Sequence, residues 1–179
     1  MGITTMRIGI ISDTHDNIPN IEKAINWLNK EKIKTLLHCG DISTYETMEF
    51  ISRKFSGKIF AVFGNMDFGK TDGWNFSNVN LFPEVAEIEI DKIKIAIVHE
   101  PKVAKKLAES KNYNFVFYGH THKPWLARIP LKAGSVASGE EKRCILANPG
   151  NLAGIFYNPT FAVYDAKSDK LELKILEKI

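Results

Sequence analysis

Seven side chains in five short polar motifs carry the chemistry this sequence can offer: Asp13 and His15 in Asp13-Thr14-His15, Asp41 after Gly40, Asn65 in Gly64-Asn65-Met66-Asp67, His99 after Val98, and His120 and His122 in Gly119-His120-Thr121-His122. Alone, each motif is an ordinary turn or helix cap, because Asp and Asn side chains readily bond nearby backbone amides. Together they alternate oxygen and imidazole donors, a mixture that suits borderline divalent cations better than Ca2+. A pair of such cations about 4 Å apart lowers the pKa of water from about 15.7 towards neutrality and clamps phosphoryl oxygens during in-line attack. Neutral Asn65 and the histidines leave net positive charge at such a site, which favours an anionic phosphate; an all-carboxylate cage would not.

The elements that must position these residues follow from hydrophobic periodicity. Arg7 to Ile11, Lys34 to Cys39 and Lys58 to Phe63 are short apolar runs that read as buried parallel strands, each ending at a polar motif. Ile21, Ala24, Ile25 and Leu28 at helical spacing after Pro19 predict a first helix, and Ser43 to Glu46 reads as a capping box ahead of Met48 and Phe55. The opening is therefore βαβαβ. Ala86 to Ile90 and Ile93 to Val98 flank Asp91-Lys92 as an antiparallel hairpin, which makes the sheet mixed. A helix near Lys102 to Ser110 leads to strands near Phe115 to Tyr118, Arg143 to Ala147, Phe161 to Ala166 and Leu171 to Leu176. Phe68 to Pro83 and Lys123 to Lys142, rich in Gly, Pro and aromatic residues, read as long loops of the kind that often carry function. Spacings of two in Asp13/His15 and His120/His122 point both members of each pair the same way if the chain there is extended.

Composition bounds the rest. At 179 residues and 44% hydrophobic content, the chain is expected to form one domain over 1–179. A net charge of +3 is too small and scattered to mark a nucleic-acid binder, although it suits an anionic substrate. No stretch approaches the roughly 20 apolar residues of a membrane span, and no secretory leader is visible. Cys39 and Cys144 lie in apolar runs without a CxxC partner, which predicts buried thiols in a reducing cytoplasm.

The order Asp13-x-His15, Gly40-Asp41, Gly64-Asn65-x-Asp67, His99, Gly119-His120-x-His122 resembles the signature of the calcineurin-like metallophosphoesterases, and the resemblance runs through almost the whole chain. The short length and the closing Asn148-Pro149-Gly150 are most similar to the small bacterial and archaeal phosphodiesterases of that superfamily. The resemblance implies an α/β/β/α sandwich of two mixed sheets. It implies that Asp13, His15 and His122 hold one metal, that Asn65, His99 and His120 hold a second, and that Asp41 bridges them. It further implies Mn2+ as the foremost ion, with Ni2+, Co2+, Fe2+ or Zn2+ as alternatives, and hydrolysis of a small phosphate ester by a metal-bridging hydroxide. Asp41, Asn65 and His99 are then the residues expected to act on the ester, with Asn65 on the substrate side; Asn148-Pro149-Gly150-Asn151 reads either as a turn or as a substrate-side loop that brings Asn148 to the ester.

Three departures from the family pattern bear on substrate. Met66 stands where many phosphomonoesterase relatives carry a His that protonates the leaving group, and a thioether cannot donate a proton. This favours small or nucleotide-derived diesters over monoesters. Glu100-Pro101 replaces the Gly-His that often follows the His99 position, leaving Glu100 either a solvated loop residue or a carboxylate aimed at the site. The Lys123 to Lys142 segment, with Trp125 at its start, is long enough to cap the site or mediate self-association. His38, on a buried strand, is expected to support the site without ligating. The rival readings are a phosphomonoesterase and a non-catalytic interaction module of the retromer-scaffold type. Relatives of the second kind tend to lose metal ligands, whereas every ligand type is present here.

Overall fold

A computed structural model describes residues 6–67, 73–110, 112–130 and 143–179. The element order is β1 (Arg7–Ile11), α1 (Ile18–Lys30), β2 (Thr35–His38), α2 (Tyr45–Lys54), β3 (Lys58–Val62), β4 (Val79–Phe82), β5 (Val85–Ile90), β6 (Ile93–Val98), α3 (Pro101–Glu109), β7 (Phe115–Phe117), β8 (Trp125–Pro130), β9 (Arg143–Asn148), β10 (Thr160–Asp165) and β11 (Lys170–Ile175). They form two mixed sheets, ordered β11-β10-β1-β2-β3-β4 and β5-β6-β7-β9-β8. Strands β1 to β4 run parallel to one another, as do β6, β7 and β9, while β10, β5 and β8 pair antiparallel with β1, β6 and β9.

Three apolar layers stack these elements into an α/β/β/α sandwich. Ile8, Ile10, Leu37 and Val62 meet Ile95, Ile97, Phe115 and Phe117 between the sheets. Ile11, Leu36, Ile59 and Ala61 face the other way, onto Ile21, Ala24, Ile25 and Leu28 of α1 and Met48 and Ile51 of α2. Ala96, Val98, Val116 and Leu146 pack on Ala104 and Ala108 of α3. Central strands buried on both faces explain the unbroken apolar runs in the sequence.

Three local readings are corrected. The segment expected as a loop from Phe68 to Pro83 contains the edge strand β4, whose four half-buried residues are too few to show an alternation; residues 68–72 lie outside the described residues. The segment from Lys123 to Lys142 begins with β8, which pairs antiparallel with β9 at the sheet edge. Pro130 ends that strand, and edge strands tolerate proline because the missing amide would face outward. The expected cap or self-association surface over 131–142 lies outside the described residues. Finally, α2 is capped by Thr44, whose side chain accepts from the Thr47 amide at 3.3 Å, while Ser43 sits at φ +84°, away from the extended backbone of a cap.

Candidate metal centre

Each expected donor lies just beyond the C-terminal end of a parallel strand: Asp13 and His15 after β1, Asp41 after β2, Asn65 after β3, His99 after β6, and His120 and His122 after β7. Open α/β sheets bind ligands at this edge, because loops leaving neighbouring strands converge there. The chain at the paired motifs is not extended, contrary to the sequence reading. Asp13, His15, Asp41, His120 and His122 adopt φ of +50°, +39°, +56°, +69° and +58°. His120 is the centre of a γ-turn closed by the Thr121 amide on the Gly119 carbonyl at 2.8 Å. The side chains converge because the backbone curls, at a cost of order 1 kcal/mol per left-handed residue.

The donor atoms form two groups that share one oxygen. In the first, Asp13 Oδ1 lies 3.3 Å from His122 Nε2, which lies 3.2 Å from His15 Nε2, which lies 3.6 Å from Asp41 Oδ2. In the second, Asn65 Oδ1 lies 3.0 Å from His99 Nε2 and 2.9 Å from His120 Nδ1, and His99 Nε2 lies 3.4 Å from the same Asp41 Oδ2. Ligands about 2.1 Å from an ion and at right angles are about 3 Å apart, so this spacing fits the edges of coordination polyhedra. Ligand atoms of Asp13, His15, Asp41 and His122 all lie within 4.8 Å of one another. The residues present therefore fit divalent cations.

Surrounding hydrogen bonds fix the orientation and tautomer of these groups. His99 Nδ1 lies 2.8 Å from the Cys39 carbonyl, which can only accept, so Nδ1 carries the proton and Nε2 turns a lone pair into the centre. His38 is fully buried and takes no part as a donor to the centre. Its Nδ1 accepts from the Gly40 amide at 3.2 Å, its Nε2 donates to Thr14 Oγ1 at 3.1 Å, and that hydroxyl donates to the Asp41 carbonyl at 3.3 Å. Burial pushes the His38 pKa down to about 3, so the ring stays neutral. Gly64 and Gly119 are required by close approach: a Cβ at Gly64 would lie 2.2 Å from Asp41 Oδ1, and one at Gly119 2.1 Å from Ser12 Oγ.

The carboxylates and imidazoles shift one another. Burial works against charge on His99, but the hydrogen-bonded Asp41 carboxylate outweighs it and raises the imidazole above its ordinary pKa. For Asp41, burial is likewise outweighed by His99, and the carboxyl titrates below its usual range. Asp13 raises His122 in the same manner. Protons and cations compete for these lone pairs.

Two residues left with alternative readings by the sequence are engaged away from the centre. Asn148 is 3% exposed, and its side chain bonds within the protein. Its Nδ2 donates to the Gly119 carbonyl at 2.8 Å and to Thr121 Oγ1 at 3.0 Å, and its Oδ1 accepts from the Gly150 amide, so it clamps the loop bearing His120 and His122. Glu100 does not enter the site; it is the N-cap of α3 and accepts from the Lys102 amide. Sequence reasoning gave no role to Asp67, although it stands in the Gly64-Asn65-x-Asp67 motif, or to Asn151; both are fully buried. Asp67 accepts from the Ser43 and Gly64 amides at 2.7 Å each, and Asn151 donates to the His122 carbonyl at 3.0 Å. Their signal was available, since each follows an expected site residue within three positions. Met66 is 46% exposed, while its amide donates to Asp41 Oδ1 at 2.9 Å. Trp125 is half exposed on β8.

Comparison with known proteins gives this geometry a context. The Phosphodiesterase MJ0936 of Methanocaldococcus jannaschii is 33% identical over 96% of this chain and 100% of its own length. A probable metallophosphoesterase of the same organism, MJ0623, is 29% identical over 96% of this chain and 81% of its own. A solved structure described as a novel archaeal phosphodiesterase superposes with a TM-score of 0.75 at 30% identity, over 95% of this chain and 99% of that one. Vacuolar Protein Sorting 29 from Cryptosporidium parvum shares the fold, with a TM-score of 0.62 at 20% identity over 95% and 96% of the two chains. Residues 6–169 match the calcineurin-like phosphoesterase superfamily domain, and the chain belongs to that superfamily.

Proposed function

We propose that this chain is a phosphodiesterase that holds two divalent cations, Mn2+ foremost and Ni2+, Co2+, Fe2+ or Zn2+ as alternatives, and hydrolyses small or nucleotide-derived diesters. The observation that carries the proposal is Asp41 Oδ2, which lies 3.6 Å from His15 Nε2 and 3.4 Å from His99 Nε2 and so borders both donor groups. Asp13, His15 and His122 would hold one cation and Asn65, His99 and His120 the other, with Asp41 between them. Bound cations supply Lewis-acid stabilisation of phosphoryl charge and a nucleophile at neutral pH.

The chain's own part is to fix the donors before the ester arrives. The Cys39 carbonyl holds the His99 tautomer, His38 and Thr14 hold the Asp41 backbone, and Asn148 and Asn151 hold the histidine loop. Asn65 contributes an oxygen without a charge, which leaves the centre positive towards a phosphate. Met66 supports a diester, because no side chain at that position can protonate an alkoxide. The relative named a phosphodiesterase supports the same class. Two free buried thiols are in keeping with a cytoplasmic setting.

The test is chelation followed by reconstitution, with bis(4-nitrophenyl) phosphate as substrate. Activity should vanish on chelation, return with Mn2+, Co2+ or Ni2+, and accompany about two ions per chain by elemental analysis. Full activity in excess chelator, or saturation at one ion, would overturn the proposal.

A further inference from the structure

Phe156 is 89% exposed, the highest value for a large apolar side chain among the described residues, and it stands beside the donor cluster. Its ring centroid lies 6.1 Å from that of His122, with the planes inclined by 40°. The position is unfavourable on two counts. An exposed Phe forgoes the burial that ordinarily stabilises it. Its backbone has φ +64°, and the Tyr157 amide donates to the Ile155 carbonyl at 2.8 Å, closing a γ-turn about Phe156, a conformation rare for a bulky residue.

The turn is nevertheless firmly held. Asn151 Oδ1 accepts from the Gly154 amide at 2.6 Å and the Ile155 amide at 3.0 Å, and the Nδ2 of the same side chain donates to the His122 carbonyl at 3.0 Å. One fully buried amide therefore fixes both His122 and the turn that presents Phe156. The separation of ring and donor cluster is built into the fold.

We infer that Phe156 is a stacking platform for a nucleobase carried by the ester whose phosphate sits at the donor cluster. The inference deepens the phosphodiesterase reading and rests on its placing the phosphate there. A flat apolar ring accepts the π-face of any base, which gives selectivity for aromatic substituents without selecting one base. The sugar of a nucleotide is the spacer between a phosphate near His122 and a base over Phe156. Removing an 89% exposed ring leaves no cavity, so the substitution probes the platform and not the core.

The experiment titrates adenosine 5′-monophosphate and ribose 5-phosphate, which has an anomeric hydroxyl in place of the adenine, into Mn2+-loaded wild type, Phe156→Ala and Phe156→Trp by calorimetry. Wild type is expected to bind the nucleotide about 5- to 150-fold more tightly than the sugar phosphate, the range of one stacked base. Phe156→Ala should remove that preference with ribose 5-phosphate affinity unchanged, and Phe156→Trp should keep it. Equal affinities in wild type, a preference that survives in Phe156→Ala, or binding of neither ligand would overturn the inference. So would a Phe156→Ala variant that changes only the oligomeric state in sedimentation, since the ring would then be an interface. A Phe156-dependent preference in a wild type without diesterase activity would uphold the platform and overturn the catalytic reading alone.

Discussion

Asp67 Oδ1 accepts from the Ser43 amide at 2.7 Å, while Asp67 Oδ2 accepts from the Gly64 amide at 2.7 Å. One buried carboxylate thus joins the loop bearing Asp41 to the turn bearing Asn65. Asp67→Asn would point an NH2 group at one of these amides and leave a buried donor unsatisfied, which costs about 1–3 kcal/mol. Denaturant unfolding should show that loss. Calorimetry should show Mn2+ affinity reduced about 10- to 100-fold, the range for groups that orient ligands. Unchanged affinity in a destabilised variant would limit Asp67 to a folding role.

Asp41→Asn and His38→Ala separate a shared donor from its support. The first changes the oxygen that borders both donor groups, and the second removes a ring that supports Asp41 through Thr14 and the Gly40 amide. His38→Ala is expected to lower kcat/KM by about 10- to 100-fold, and Asp41→Asn by more than that range. Elemental analysis should find fewer ions in Asp41→Asn. Equal losses in two folded variants would show that the shared donor has been misassigned.

Met66→His places an imidazole at a half-exposed position beside Asn65, where the change disturbs little packing. If missing acid catalysis limits poor leaving groups, the variant gains up to about 10²- to 10⁴-fold on alkyl phosphate monoesters and little on nitrophenyl diesters. Only the protonated ring donates, so the gain should fade as pH rises past about 6.5. A uniform change across substrates in a pH series of kcat/KM would mean that position 66 shapes the site instead.

Neither cysteine should react with Ellman's reagent in the native protein at pH 8. Burial pushes the Cys144 thiol up to about 11 and raises Cys39 well above its ordinary value, so both remain protonated at that pH, and the thiolate is the reactive form. Two thiols per chain should appear on adding denaturant, matching the two free cysteines. Rapid native labelling would place one of them in an accessible position.

The hydrophobic pattern determined the strands, the helices and the strand ends on which the donors sit, because a strand buried on both faces must be continuously apolar. Edge elements escaped it: β4 is too short to show a period, and β8 is preceded by Pro124 and ends in Pro130, which on a central strand would have argued against pairing. Donor types were equally legible, since Asp, Asn and His in that order have few other uses in common. Their roles beyond type were decided by the tertiary structure. Asn148 and Asp67 have the same polar chemistry as Asn65 and Asp41, yet the first two spend every described bond on backbone or neighbouring loops, while the second two turn an oxygen to the centre. No local pattern distinguishes these cases, because the difference lies in which loop from a distant strand arrives opposite the side chain. The same holds for Phe156, an unremarkable aromatic residue in sequence, whose place beside His122 is set by tertiary bonds such as those of Asn151 to both segments.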